Sequence, residues 1–181
     1  MRIRFLILAA VAAAALTAPA LAALSTGVKA PAFTLQASQG GKVFTFTLAD
    51  ALKQGPVVLY FYPAAFTTGC TIEAHEFADA IDQYHALGAT VIGVSHDPID
   101  KLQKFSVSEC RSKFAVAADT DQTVMKEYDA VLPQHPEYAN RTSYVIAPNG
   151  TIIYEYTSLD PTQHVSNTLT ALRTWKADQA H

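Results

Sequence analysis

Residues 56–62, "PVVLYFY", form an apolar run with no polar alternation, the signature of a strand buried on both faces of a parallel sheet. "TVIGVS" (90–95) and "FAVAAD" (114–119) repeat the pattern in shorter form. Between the first two lies "CTIEAHEFADAIDQYHALG", whose spacing predicts a helix from about Cys70 to Leu87. Ile72, Phe77, Ile81, Tyr84 and Leu87 fall near its inward face, and Gly88 ends it. "PIDKLQKFSVSEC" predicts a second helix over about 98–110 with a proline at its first turn. "TDQTVMKEYDA" predicts a short third helix begun by a Thr or Asp cap.

The flanks read differently. "AFTLQA" (32–37) and "VFTFTL" (43–48) alternate as strands around "SQGG", a hairpin-type turn, and "LADALKQG" allows one or two helical turns up to Gly55. Beyond the third helix, "VLPQHPEYANR" carries two prolines and reads as a loop. "TSYVIAP" and "TIIYEYT" are strands joined by Asn149-Gly150, a strong hairpin signal. A last helix runs from about Pro161 to Ala177, with Trp175 as a packing residue. Alternating strands and helices predict an α/β fold whose central sheet is mostly parallel and covered on both faces, the terminal hairpin adding antiparallel edges. The pattern matches a thioredoxin-like three-layer sandwich with a mixed central sheet and an N-terminal β extension.

The first 22 residues change the picture. "MRIRFLILAAVAAAALTAPALA" has Arg2 and Arg4, an apolar run, then Ala20-Leu21-Ala22, the layout of a secretory signal cleaved after Ala22. The expectation is export to the periplasm and one mature domain over residues 23–181. Removing two arginines from 13 basic residues leaves 11 against 16 acidic ones, so the net charge moves from −3 to −5. With no basic run left, neither nucleic acid nor an anionic membrane is an expected partner.

The chain has two cysteines, Cys70 and Cys110. In an oxidising compartment a structural disulfide between them is one reading. Cys70 points to another. It opens a helix, where unpaired N–H groups and the positive end of the dipole favour a thiolate, the reactive form. The turn before it reads Thr67-Thr68-Gly69-Cys70, with a hydroxyl where many thiol oxidoreductases of this fold carry a first cysteine. Dithiol exchange inside the motif is therefore impossible. A single thiolate beside a hydroxyl suits attack on a small oxygen electrophile.

"YPAAFTTGCTIEAHEF" resembles the active-site motif of the peroxiredoxins, P-x-x-x-[T/S]-x-x-C, with Pro63, Thr67 and Cys70 in its fixed places. It is most similar to the bacterioferritin comigratory protein (BCP, or PrxQ) class, whose pattern Cys70, Thr71, Glu73 and Phe77 also fit; "VIGVSHDPIDKLQKF", "FAVAAD" and "NRTSYVIAPNG" extend the likeness over most of the mature chain. The resemblance implies a thiol peroxidase, needing no cofactor or metal, that reduces hydrogen peroxide and organic hydroperoxides. Cys70 would attack the terminal oxygen and become a sulfenic acid. Thr67 would take the peroxide proton and hold the attacked oxygen. Pro63 would shield the thiolate from bulk water. Arg141 would stabilise thiolate and leaving oxygen, and Glu73 is a second-tier candidate.

Many members of this class carry a resolving cysteine five residues after the first, where this chain has His75. Cys110 is then the candidate resolver, forming an intramolecular disulfide that a thioredoxin-like reductant reopens; the alternative is a one-cysteine enzyme. Their separation along the helices requires local unwinding for contact. A monomer is the default expectation. A glutathione-peroxidase-like protein would need a Trp-Asn-Phe stretch, and the one tryptophan is Trp175. A copper or redox carrier using Cys70, His75 and His96 is the rival from outside catalysis. His75, His96, His135 and His164 all read as surface residues.

Overall fold

A computed structural model describes residues 23–179. The buried run forms β3 (Val57–Phe61), the strand that organises the rest. Its side chains alternate between two cores: Val58 and Tyr60 face one, Val57, Leu59 and Phe61 the other, and all are sequestered. β3 pairs in parallel with β4 (Thr90–Ser95), which pairs in parallel with β5 (Ala115–Ala118). Antiparallel strands flank this trio. The N-terminal hairpin of β1 (Thr34–Gln39) and β2 (Lys42–Thr47) joins through β5, and the C-terminal hairpin of β6 (Thr142–Ile146) and β7 (Ile152–Thr157) joins through β3. The seven-stranded sheet runs β2-β1-β5-β4-β3-β6-β7. It is mixed, with parallel pairing confined to the central trio rather than dominant, because both hairpins pack their own antiparallel edges against it.

The core containing Tyr60 is covered by α2 (Thr68–Ala86), α3 (Ile99–Ser108) and α5 (His164–Asp178). The opposite core includes Leu48 of α1 (Leu48–Leu52) and Val124 and Met125 of α4 (Thr123–Glu127). Tyr60 fits because β4 offers Gly93: a Cβ there would stand 2.6 Å from the tyrosine ring. Both hairpin turns follow the glycine signals, with Gly40 and Gly41 at φ +55 and +80 and Gly150 at φ +81. No helix among the described residues is long and apolar enough to cross a membrane.

Three local expectations need correction. Ile72 is exposed; the inward face of α2 runs instead through Cys70, Glu73, Ala74, Phe77, Ile81 and Tyr84. Residues three and four apart share a helix face, and Ile72 is two from Cys70. The cap of α4 is Gln122, in a left-handed conformation, while the orphan N–H groups of Val124 and Met125 donate to the Asp119 carboxylate from outside the helix. Finally, α3 ends at Ser108, so Cys110 lies past the helix in a turn where Arg111 and Ser112 are both left-handed. The proposed leader, residues 1–22, lies outside the described residues.

Candidate active site

The loop from Pro63 to Thr67 carries the chain from β3 to the start of α2. Asp97, buried just past β4, fixes it. Its Oδ2 accepts from the Ala65 N–H at 2.7 Å and from Ser95 Oγ at 2.8 Å, while Lys101 Nζ donates to Oδ1 at 2.6 Å. Phe66 holds a left-handed backbone (φ 69), costly for a residue with a Cβ, and its ring meets Phe105 edge-on at 5.2 Å. Thr67 is the N-cap of α2, but its hydroxyl donates back to the Ala64 carbonyl at 2.9 Å rather than capping the helix. The hydroxyl's donor is thus used inside the loop and its lone pairs stay free. The first helical bond runs from Thr71 N–H to the Thr67 carbonyl, so the N–H groups of Gly69 and Cys70 precede the ladder.

Cys70 sits in this first turn, buried at 1% exposure. Arg141, entering from the residue before β6, brings Nη2 to 3.6 Å from its sulfur. The guanidinium is held on three sides. Nε donates to the Leu159 carbonyl at 3.1 Å, Nη1 pairs with Glu73 Oε2, and Nη2 faces the thiol. Gly69 makes the approach possible: a Cβ at that position would lie 2.9 Å from Nη2. Burial would lower the Arg141 pKa, but the charges of Glu73 and Cys70 beside it carry it above its ordinary value. The cation is secure.

Glu73 stands one turn above Cys70 and is fully buried. Burial pushes its carboxyl up to about 8, against the pull of Arg141. His164, also fully buried, lies beyond it with Nδ1 3.7 Å from Glu73 Oε1. Burial pushes this imidazole down to about 4, against its hydrogen bond to the Ser158 carbonyl.

Cys110 is a free thiol like Cys70, fully buried in the same core cluster. Burial and the neighbouring Glu109 push its pKa well up. Tyr60 and Tyr62, in electrostatic reach of both thiols, stack on Phe77 and Phe105.

A model of the AhpC/TSA family matches residues 26–155. The chain belongs to this family of peroxiredoxins. It is 33% identical over 151 residues to the chloroplastic peroxiredoxin Q of Oryza sativa subsp. japonica, covering 83% of this chain and 67% of that protein. The peroxiredoxin Q of Sedum lineare is 31% identical over 156 residues, covering 86% and 81%. Among solved structures, the peroxidoxin BcpB of Mycobacterium tuberculosis superposes with a TM-score of 0.74 at 30% identity, over 82% of this chain and 96% of that one. These relatives fit the BCP/PrxQ resemblance.

In this peroxiredoxin the structure joins Cys70, Arg141 and Glu73 by direct contact, with Thr67 in the same turn and Pro63 half-buried at the head of the loop. Glu73 is more than a dipole partner; it orients Arg141. His164 corrects the surface reading of the histidines. The others differ: His75 is partly buried with Nε2 2.9 Å from Glu109 Oε2, His96 is half-buried with its ring on Tyr138, and His135 is exposed beside Glu137. Cys70, His75 and His96 are not gathered; among the described residues no group of three His, Cys, Asp or Glu is placed to hold a metal. Asp97 and His164 are the residues that the sequence reading missed. The i, i+4, i+8 row of His164, Thr168 and Leu172, all buried, carries the signal for the second.

Proposed function

We propose that this peroxiredoxin reduces hydrogen peroxide and small organic hydroperoxides through Cys70. The observation that carries the reading is the Arg141 guanidinium held 3.6 Å from the sulfur by Glu73 and the Leu159 carbonyl. The Cys70 thiolate attacks the terminal peroxide oxygen; an S–O bond forms as the O–O bond breaks. Cys70 becomes a sulfenic acid, oxidised by two electrons, and the departing alkoxide takes a proton from solvent to become an alcohol, or water from hydrogen peroxide. Arg141 and the free N–H groups at Gly69 and Cys70 offset the developing charge. The lone pairs of Thr67 accept a hydrogen bond from the peroxide O–H, and Pro63 limits access of bulk water.

Resolution follows at Cys110, whose thiol condenses with the sulfenic acid to a Cys70–Cys110 disulfide and releases water. A thioredoxin-like dithiol then reduces the disulfide by exchange. Because Cys110 is buried past the end of α3, this step needs the Glu109–Lys113 turn to open. The strained backbone at Arg111 and Ser112 favours opening there. In this reading residues 1–22 are removed on export to the periplasm, and the mature domain, 23–181, works as a monomer.

Peptide mapping after one equivalent of hydrogen peroxide tests the scheme. A Cys70–Cys110 disulfide within a chain of monomer mass supports it. Accumulated sulfenic or sulfinic acid at Cys70, with normal turnover in Cys110→Ser, makes this a one-cysteine enzyme. Undiminished peroxide consumption in Cys70→Ser overturns the peroxidase assignment.

A further inference from the structure

The polar contacts at Cys70 do not stop at Glu73. His164, the first residue of α5, has fixed surroundings at both ring nitrogens. Nε2 lies 2.9 Å from the Ser158 carbonyl oxygen, which can only accept, so Nε2 carries a proton. Nδ1 lies 2.8 Å from Ser143 Oγ and 3.7 Å from Glu73 Oε1. That carboxylate oxygen is buried without any hydrogen-bond partner, whereas its twin Oε2 is engaged by Arg141. A bare buried acceptor is costly. At 3.7 Å Nδ1 is beyond hydrogen-bond reach of this oxygen but within ion-pair distance, so a proton gained or lost by the carboxyl or the ring is felt by the other. Ser143, His164 and Glu73 do not form a hydrolase-type triad, because serine and carboxylate both fall on Nδ1 and Ser143 is itself buried.

Counting charges shows what such a proton does. With Arg141 cationic and Cys70 a thiolate, the cluster is neutral when Glu73 and His164 together hold one exchangeable proton. Without that proton the cluster carries a net negative charge in a desolvated core, which disfavours the thiolate. We propose that His164 is a positioning residue of the peroxidatic centre, pairing with Glu73 to hold the proton that leaves the charge of Arg141 available to Cys70. This deepens the peroxidase reading and rests on it.

The surroundings agree. Burial raises Glu73 to about 8 and lowers His164 to about 4, so the pair keeps one proton across neutral pH. Other charged or titratable groups facing it are Arg141, Asp160 before α5, Tyr156 of β7 with its ring 4.8 Å from the imidazole, and Glu76 of α2, which acts on Glu73. Tyr84 of α2 is turned to Thr168 and the Val165 carbonyl one turn further on.

The test is reciprocal, because coupling between two sites must act in both directions. Iodoacetamide alkylation of Cys70 against pH reports the thiolate without peroxide, so a protein that alkylates as expected but consumes no peroxide would sink the peroxidase reading and leave this inference standing. His164→Gln should raise the alkylation midpoint by at least about half a pH unit, roughly threefold less thiolate at a fixed pH below it. In a Glu73→Gln background, where the pair can no longer release its proton, the same change should move the midpoint by less than about 0.2 unit. Equal shifts in both backgrounds, or none in either, overturn the proposal. Should His164→Gln not fold, the ring 15N shifts of native His164 carry the test: their response to loss of the Glu73 proton, toward about pH 8, should come at higher pH in wild type than in Cys70→Ser, and superimposable titrations there overturn it.

Discussion

The two cysteines of this chain share a core cluster and almost complete burial, yet their settings are opposite. Cys70 stands in the first turn of α2, where free N–H groups and the positive helix end face it, with Arg141 at 3.6 Å. Cys110 lies past the end of α3, on the negative side of that helix, next to Glu109. Burial and Glu109 keep the proton on the second sulfur, while the first has a cation and unpaired N–H groups turned toward it. Burial alone makes a thiol inert. Burial with a fixed cation and unpaired donors is the setting that the proposed peroxidase chemistry requires of Cys70.

The largest effect expected from breaking this contrast is Cys70→Ser, which should reduce peroxide consumption to the background rate while thermal unfolding stays cooperative. Cys110→Ser should keep the first turnover and lose sustained turnover with a dithiol reductant. Stopped-flow peroxide consumption separates the two, and loss of the first turnover in Cys110→Ser would break the contrast.

Next in size is Arg141→Ala. Losing a preorganised donor is commonly worth ~2–4 kcal/mol, so peroxide attack should slow at least about tenfold and the alkylation midpoint of Cys70 should rise. Arg141→Lys should not restore the rate, because an ammonium cannot span Glu73, the Leu159 carbonyl and the sulfur together. Rescue by lysine would mean that charge alone matters.

Gly69→Ala sharpens the same point with one methyl group. Its Cβ would meet Arg141 Nη2 at 2.9 Å, so the guanidinium must give way. A loss of about three- to tenfold in the rate of peroxide attack, corresponding to ~0.7–1.4 kcal/mol, should appear with little change in unfolding temperature.

The smallest effect is on stability against pH. A raised carboxyl such as Glu73 contributes stability that is fully present below its unfolded value and lost as pH rises toward about 8. A depressed histidine such as His164 contributes stability present above its unfolded value near 6.5 and lost as pH falls toward about 4. The two oppose each other across the acid range, so wild type should change by only about 1 kcal/mol between pH 7 and pH 5. Glu73→Gln should unmask the acid-side loss. Urea midpoints at the two pH values measure this, and a flat profile in that variant would show that His164 is not held neutral by the fold.

By itself the sequence determined the buried strand at 56–62, the turn that follows it, and a cysteine at a helix start with Pro63 and Thr67 at motif spacing, because strand burial and helix ends are local consequences of residue order. It also placed Arg141 as a candidate, through resemblance rather than position. Only the tertiary structure decided what surrounds the sulfur. Pairing of β3 with β6 brings Arg141 across 71 residues to Cys70, and Asp97 secures the loop from the end of β4. Docking of α5 buries His164 against Glu73. Whether Glu73 is a solvated end-of-helix charge or a buried guide for Arg141 depends on which face of α2 meets the sheet. The run of apolar residues pointed to Ile72, but packing chose the face carrying Cys70, Glu73, Phe77 and Tyr84. The charge state of a buried group is set by neighbours that sequence distance does not reveal, and desolvation acts only once they have closed around it.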